Sequence, residues 1–300
     1  MAGNYSPKPG KGKSAKMSIL SVQSHVAYGH VGNSAAVLAL QCLGHEVWPV
    51  NTVQFSNHPG HGQFAGRASE PEHVREILDG LAALGVFKKC RALLTGYLAS
   101  AETGVAVLDA WARIRRENPD ALFICDPVLG DRDEGLYVSD RLLAFYRDAA
   151  LPLADAVLPN AFELEALTGR TVSSIDDAVD AAEQIIAVGP RYVIVSSAPT
   201  ANPANVGNLL VSANGAWTIE TPKYELKAKG AGDLLSALWI GHLLNSGDPG
   251  DPIDALERAV SASSAIIEAA SGDGLTELPL VALQQKIRAG DRLIHAKCLI

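Results

Sequence analysis

The sequence predicts an α/β fold: a central, mostly parallel sheet covered by helices, with an antiparallel hairpin closing one edge. Three observations carry this expectation. From residue 17 onward, short β-branched or apolar runs alternate with longer segments of helical period, the pattern of parallel strands joined by crossover helices. The runs are short and largely apolar, as strands buried on both faces must be. After residue 195 the alternation stops, and two strand-like runs flank Asn214-Gly215, a strong signal for a two-residue hairpin turn.

The first strand, 18–22, reads Ser-Ile-Leu-Ser-Val. A helix over 34–43 follows, with Asn33 expected as its N-cap and Gly44 as its stop. A strand at 46–50 leads to a helix over 72–84. The strand at 92–95 precedes a helix over 104–117, which Asn118-Pro119 ends. Strands at 122–125, 156–158 and 192–195 alternate with helices over 140–148, 161–168 and 176–188. The hairpin strands are 208–212 and 216–221, and long helices over 233–245 and 253–270 follow, with Pro252 at the first turn of the latter. No linker-like composition and no internal repeat divides the chain, so residues 17–300 are expected to form a single domain.

At 300 residues, 48% hydrophobic and 19% charged, the chain can bury a large core without disulfide staples and does not belong to the disordered class. Its net charge is −8. Residues 1–16 hold four lysines and no acid, which leaves the remainder with 21 basic and 33 acidic residues, a net −12. So acidic a body is a poor binder of nucleic acid or anionic membrane. Residues 1–16 are expected to be a flexible basic tail. Within it Gly12-Lys13-Ser14 imitates the end of a phosphate-binding loop, but Pro7 stands where the first glycine belongs and no strand precedes it. Cys42, Cys90, Cys125 and Cys298 are at least 35 positions apart and mostly lie in apolar runs. They read as reduced core residues of a cytoplasmic protein. No stretch approaches the length of apolar chain needed to span a bilayer.

The most informative segment is Lys229-Gly230-Ala231-Gly232-Asp233, where glycines permit a tight turn and a helix is expected to begin at the aspartate. Backbone N–H groups at such a start can hold an anion. A carboxylate beside them can orient a reacting hydroxyl and accept its proton, the role of a phosphotransferase base. Read alone, Asp233 fits a helix cap after a glycine turn better than it fits a base, and the other segments decide between the two. Asp126-Pro127-Val128-Leu129-Gly130-Asp131 follows one strand, and Pro159-Asn160-Ala161-Phe162-Glu163 follows another and opens a helix. Strand ends at one edge of an open α/β sheet are where ligands bind. Together these segments bring carboxylates and an amide to that edge, an oxygen-rich setting suited to magnesium with retained waters. Ser24 and His25 lie beyond the first strand, with Gly29 and Gly32 keeping the next loop close. The segment 51–62, rich in glycine and hydrogen-bonding side chains, has the composition of a specificity loop. Its His58 and His61 lack carboxylate or cysteine partners at zinc spacing, so contact with solvent or ligand is the expected role.

In this order the segments resemble the pyridoxal kinases of the ribokinase-like superfamily. The resemblance runs from about residue 17 nearly to the end. It rests on Gln23-Ser24-His25-Val26, Gly29 with Val31-Gly32-Asn33, Val53-Gln54-Phe55-Ser56-Asn57-His58, Thr95-Gly96-Tyr97, the Asp126–Asp131 block and Pro159-Asn160 with Glu163. The 53–58 block sets the chain apart from ribose and adenosine kinases. The resemblance implies a three-layer α/β/α sandwich, assembly as a homodimer, and transfer of the γ-phosphoryl of ATP to the 5′-hydroxymethyl of pyridoxal, pyridoxine or pyridoxamine. By this resemblance Asp233 is the base, and Gly230, Ala231 and Gly232 form the phosphate-binding anion hole. Ser24, Val31, Phe55, Pro59, Tyr97 and Lys229 line the vitamer. Asp126, Tyr137, Asn160, Glu163 and Ser196 line ATP, and Asp131 and Glu163 serve Mg2+.

The chain departs from the family pattern at several positions. Ala231 replaces a threonine, which removes a hydroxyl near the phosphates but keeps the backbone donors. Pro59 replaces a threonine near the ring substituents, and Phe64 takes the place of a tryptophan; both bear on vitamer preference. Leu158 and Val195 stand where threonines can help bind a monovalent cation. Lys229 replaces an apolar residue, and is read either as a solvated side chain or as an amine able to form an imine with pyridoxal. A hydroxymethylpyrimidine kinase and a non-catalytic B6-binding protein remain the alternatives.

Overall fold

The computed structural model describes residues 18–247 and 250–300. The basic tail, 1–16, and its Gly12-Lys13-Ser14 lie outside the described residues. In chain order the first half comprises β1 (Ser18–Val26), α1 (Asn33–Cys42), β2 (Glu46–Phe55), β3 (Gly66–Ala68), α2 (Pro71–Ala83), β4 (Cys90–Thr95) and α3 (Ala101–Glu117). There follow β5 (Leu122–Cys125), β6 (Gly130–Asp131), β7 (Gly135–Leu136), α4 (Asp140–Phe145), β8 (Ala156–Val157), α5 (Ala161–Thr168), α6 (Ile175–Ile186) and β9 (Tyr192–Ala198). The chain ends with β10 (Asn205–Ser212), β11 (Gly215–Pro222), α7 (Ala231–Asn245), α8 (Pro252–Gly272), α9 (Gln284–Ala289) and β12 (Lys297–Cys298).

One 10-stranded sheet runs β12-β11-β10-β9-β8-β5-β4-β1-β2-β3, and β6 and β7 form a separate hairpin. From β9 to β2 every neighbouring pair is parallel, whereas β3 and β10 to β12 add antiparallel edges. The expected architecture is therefore present. Alternation along each strand divides its side chains between two cores. Leu20, Leu93, Phe123, Val157 and Val193 face the side covered by α2 to α6. Their neighbours Ile19, Leu94, Ile124, Ala156 and Ile194 face the side covered by α1, α7, α8 and α9. Helix α7 is buried from Leu234 through Leu244, which accounts for its near-continuous apolar sequence.

Several local expectations need correction. Asn33 is the first residue of α1, and Gly32 caps it. The Asn33 side chain is spent inside the sheet, accepting from Ser21 Oγ at 2.7 Å and donating to Asn51 Oδ1 at 2.8 Å and the Val50 carbonyl at 3.1 Å. The hairpin turn is Ala213-Asn214, because Ser212 pairs with Gly215. Gly215 has φ of +136°, and a Cβ there would strike the Ile300 carbonyl oxygen, so this glycine serves the approach of the chain end. Helix α7 begins at Ala231, two residues earlier than expected, because Gly230 takes the left-handed cap conformation. Cys298 is exposed on the edge strand β12, unlike the buried Cys90 and Cys125. Burial pushes the Cys90 thiol up to about 12, which keeps it unreactive.

Candidate active site

The C-terminal ends of the parallel strands gather most of the expected residues. Ser24 lies near the end of β1 and Phe55 ends β2, while Tyr97 follows β4, Asp126 follows β5 and Asn160 follows β8. Ser196 lies in β9, bridged to Asn160.

Asp233 is the third residue of α7, in its first turn. The N–H groups of that turn lack partners within the helix and form the positive end of its dipole. Asp233 Oδ2 accepts from the Gly32 N–H at 2.8 Å. Burial raises its carboxyl to about 6, with the Gly32 N–H pulling the other way. Glycines make this junction possible. A Cβ on Gly32 would run into the Ser24 carbonyl and hydroxyl, and one on Gly230 would run into the His30 carbonyl. The β1–α1 turn and the 230–232 turn thus lie backbone to backbone.

Asp126 and Glu163 form the acidic side. Asp126 Oδ2 accepts from Ser236 Oγ of α7 at 2.6 Å. Glu163 belongs to a capping box with Asn160: its Oε2 accepts from the Asn160 N–H at 2.8 Å and Asn160 Oδ1 accepts from the Glu163 N–H at 2.9 Å. Glu163 Oε1 also accepts from the Leu129 N–H at 2.9 Å. Burial raises the pKa of both acids; repulsion from Glu163 and Asp233 adds to it at Asp126, and repulsion from Asp233 at Glu163. Glu163 is therefore no surface acid. Asn160 also donates to the Gly130 carbonyl at 2.9 Å, tying α5 to the β6–β7 hairpin. Asn160→Ala is expected to cost about 1 kcal/mol of stability, within the roughly 0.5–2 kcal/mol of a lost cap, as measured by urea unfolding; an unchanged midpoint would contradict the capping role.

Asp131 does not join this pair. Its Oδ1 accepts from the Asp133 and Glu134 N–H groups at 3.1 and 2.7 Å, and its Oδ2 accepts from Lys229 Nζ at 3.2 Å. Partial burial pushes its carboxyl up, but these donors outweigh it and hold the pKa below the ordinary value. Its geometry therefore favours a tether over the metal ligand the resemblance implies. Lys229 also donates to Glu134 Oε1 at 3.0 Å. Burial lowers the Lys229 pKa, but the two carboxylates more than reverse this, so the ammonium is a poor imine former in this arrangement.

At the end of β2, Phe64 packs on Phe55 with ring centroids 4.8 Å apart. Tyr97 is half-buried, its carbonyl accepting from Thr52 Oγ1 at 2.6 Å. Val31 is buried and lines a cavity of about 250 Å³ with His58, Gly60, His61, Lys227 and Lys229. Pro59 lies in the exposed turn Pro59–His61, and Tyr137 is exposed beyond the β6–β7 hairpin. His58 Nδ1 accepts from the Gly60 N–H at 3.0 Å, and its pKa is lowered by burial and then by Lys229. A larger hollow of about 430 Å³ lies between α2, α3 and α4, lined by Pro71, Glu72 and Arg75, by Ala101, Glu102 and Val105, and by Arg141 and Phe145. The resemblance did not single out Gly32 as the donor to Asp233, or Glu277, which lines the 250 Å³ cavity beside Val31. Gly32 was visible as a loop glycine within the Val31-Gly32-Asn33 signature but not as a hydrogen-bond donor, and Glu277 is more than two hundred residues from its partners.

A family model described as phosphomethylpyrimidine kinase matches residues 39–277. The pyridoxal kinase PdxY of Rubrobacter xylanophilus is 43% identical over 276 residues, covering 91% of this chain and 94% of that protein. That of Granulibacter bethesdensis is 42% identical over 287 residues, covering 94% and 99%. This chain belongs to the pyridoxal kinase family. Its fold matches the Leishmania donovani pyridoxal kinase in complex with ADP and pyridoxine, with a TM-score of 0.87 and 29% identity over 95% of this chain and 99% of that one. The Trypanosoma brucei pyridoxal kinase matches with a TM-score of 0.84 at 28% identity, covering 95% of this kinase and all of that chain.

Proposed function

We infer that this kinase transfers the γ-phosphoryl group of ATP to the 5′-hydroxymethyl group of pyridoxal, and of pyridoxine and pyridoxamine, in B6 salvage. The observation that carries the residue assignment is the Asp233 carboxylate, fixed through Oδ2 by the Gly32 N–H behind the 230–232 turn. Ser24, Val31, Phe55 and Tyr97 surround the vitamer, with Phe64 extending the aromatic wall. Asp126, Asn160, Glu163, Ser196 and Tyr137 line the nucleotide.

Asp233 takes the proton of the hydroxymethyl group as its oxygen bonds to the γ-phosphorus. The bond from that phosphorus to the bridging oxygen of ATP breaks, and ADP leaves with the electron pair. The first-turn N–H groups of α7 stabilise the charge on the transferring group. Little covalent chemistry is asked of the protein, so positioning and charge neutralisation supply the rate.

The donor set fits Mg2+. After burial, repulsion from Glu163 and Asp233 holds the Asp126 pKa up, and a divalent cation would relieve that repulsion. Among the described residues no group of three or more metal-ligating side chains is assembled, so an ion here would have to be held by one or two carboxylates, phosphates and its own waters. Asp126 would be the direct donor and Glu163, whose oxygens are engaged by backbone N–H groups, would act through water. Bound there, the ion would neutralise phosphate charge. Leu158 and Val195 offer no side-chain oxygen to a monovalent cation. Among the described residues no helix is long and apolar enough to cross a membrane. A cytoplasmic homodimer completes this reading, with sedimentation velocity as the check on assembly.

Steady-state rates with ATP-magnesium, the three B6 vitamers and hydroxymethylpyrimidine test the function. The expected result is a kcat/KM for pyridoxal well above that for the pyrimidine. Preference for the pyrimidine, or vitamer binding without turnover, would overturn it.

A further inference from the structure

Glu277 lies beyond α8 in a segment anchored by the buried Leu278 and Leu280. Its side chain spans two loops of the vitamer side. Oε2 accepts from the His30 N–H at 3.0 Å, and Oε1 accepts from His61 Nε2 at 2.6 Å. The Glu277 side chain is 17% exposed, and the His61 side chain, on the exposed loop, 29%. Gly29 has φ of +99°, and a Cβ there would overlap the Glu277 carboxylate. The β1–α1 turn is thus shaped around this acid.

Each arm leads to the site. His30 is followed closely by Gly32, whose N–H holds Asp233, and the His30 carbonyl lies against Gly230. His61 belongs to the loop between β2 and β3, which is internally bonded: Ser56 donates its N–H to the Ala65 carbonyl at 2.8 Å, and Asn57 Nδ2 donates to the Gln63 carbonyl at 2.8 Å. At its base this loop joins the β1–α1 turn through the Tyr28 N–H and the Ser56 carbonyl at 2.8 Å. Toward its tip, the Glu277–His61 bond and an edge contact of Tyr28 on His61, with centroids 6.0 Å apart, hold it. These bonds tie the loop into one unit, so an anchor near its tip sets where the whole segment rests.

We propose that Glu277 is a positioning residue for the vitamer: by bridging His30 and His61 it holds the 56–65 loop against the β1–α1 turn and completes the wall of the vitamer cavity. It touches no reacting atom. This rests on the assignment of that cavity to the vitamer, under which the nucleotide, on the far side of Asp233, does not sense the bridge.

The test compares Glu277→Ala, Glu277→Gln and His61→Ala with the wild type, using steady-state kinetics and equilibrium dialysis of pyridoxine. Loss of a hydrogen bond to a charged group corresponds to roughly 10- to 100-fold. Glu277→Ala should raise the vitamer KM and weaken pyridoxine binding by about that factor, with the KM for ATP unchanged. Glu277→Gln, which retains an acceptor for His30 and a group that can bond His61, should recover most of the loss. His61→Ala removes only the exposed-loop arm and should raise the vitamer KM several-fold, which keeps the test decisive should Glu277→Ala fail to fold. Unchanged vitamer KM in both alanine variants, equal shifts in the vitamer and ATP KM values, or a folded glutamine variant as poor as alanine would overturn the proposal. A wild type that fails to phosphorylate any vitamer would instead overturn the functional reading beneath it.

Discussion

Asp233→Asn lowers kcat by about 10² to 10⁴, the range for a lost general base, and at the same time makes the fold more stable. Both effects come from one carboxylate. Burial raises its pKa from 3.8 to about 6, against the Gly32 hydrogen bond that lowers it. A carboxyl whose folded pKa exceeds its unfolded value costs nothing while protonated, below the unfolded pKa. Stability is then lost as pH rises through the window up to the folded pKa. Above about pH 6 the ionised side chain costs up to about 3 kcal/mol, at 1.36 kcal/mol per unit, and the neutral amide removes that cost. The amide oxygen still accepts from Gly32, so geometry is kept. Kinetics and urea unfolding at neutral pH check the pair of effects. Wild-type turnover would refute the base, and a loss of stability would refute the buried-charge argument.

Gly32→Ala is the second large effect. Gly32 has φ of +53° and ψ of −132°, and an added Cβ meets the Ser24 carbonyl and hydroxyl. Relieving that overlap moves either Ser24, which the proposed function assigns to the vitamer, or the Gly32 N–H, on Asp233. Displacements of this order cost about 10²-fold in kcat/KM, and forcing the backbone strain adds roughly 1–3 kcal/mol of destabilisation. Gly44→Ala is the matched control. Gly44 also has positive φ, at +91°, but nothing lies within 4 Å of its added Cβ, so it should lose some stability and keep its rates. Equal kinetic losses in both variants would show that the Gly32 effect is general to positive-φ glycines.

Much of the fold was legible because parallel strands buried on both faces must be short and apolar, and their helices must repeat at a different period. Each parallel strand from β9 to β2 was visible in this way, as was the β10–β11 hairpin. The edges were not. Strands β3 and β12 pair only through the backbone of 3-residue and 2-residue segments, and such segments carry no side-chain period. Residues of the site that sit at strand ends followed from strand position, which is why Asp126 and Asn160 were found. The burial of Glu163 was not legible, because an acid in a first helical turn looks the same whether it faces water or accepts from the Leu129 and Asn160 N–H groups. The same limit applied to Asp131, whose acidic, turn-rich surroundings suit a metal ligand until Lys229 is seen across 98 positions of sequence.

The pH dependence of kcat/KM for pyridoxal, compared between the wild type and the residual activity of Asp233→Asn, tests the account most directly. In the wild type the rate should rise with pH along a limb whose apparent pKa lies near 6, and this limb should be absent from the asparagine variant. A limb that persists unchanged in the variant would mean that another group takes the proton, and would contradict the assignment of Asp233.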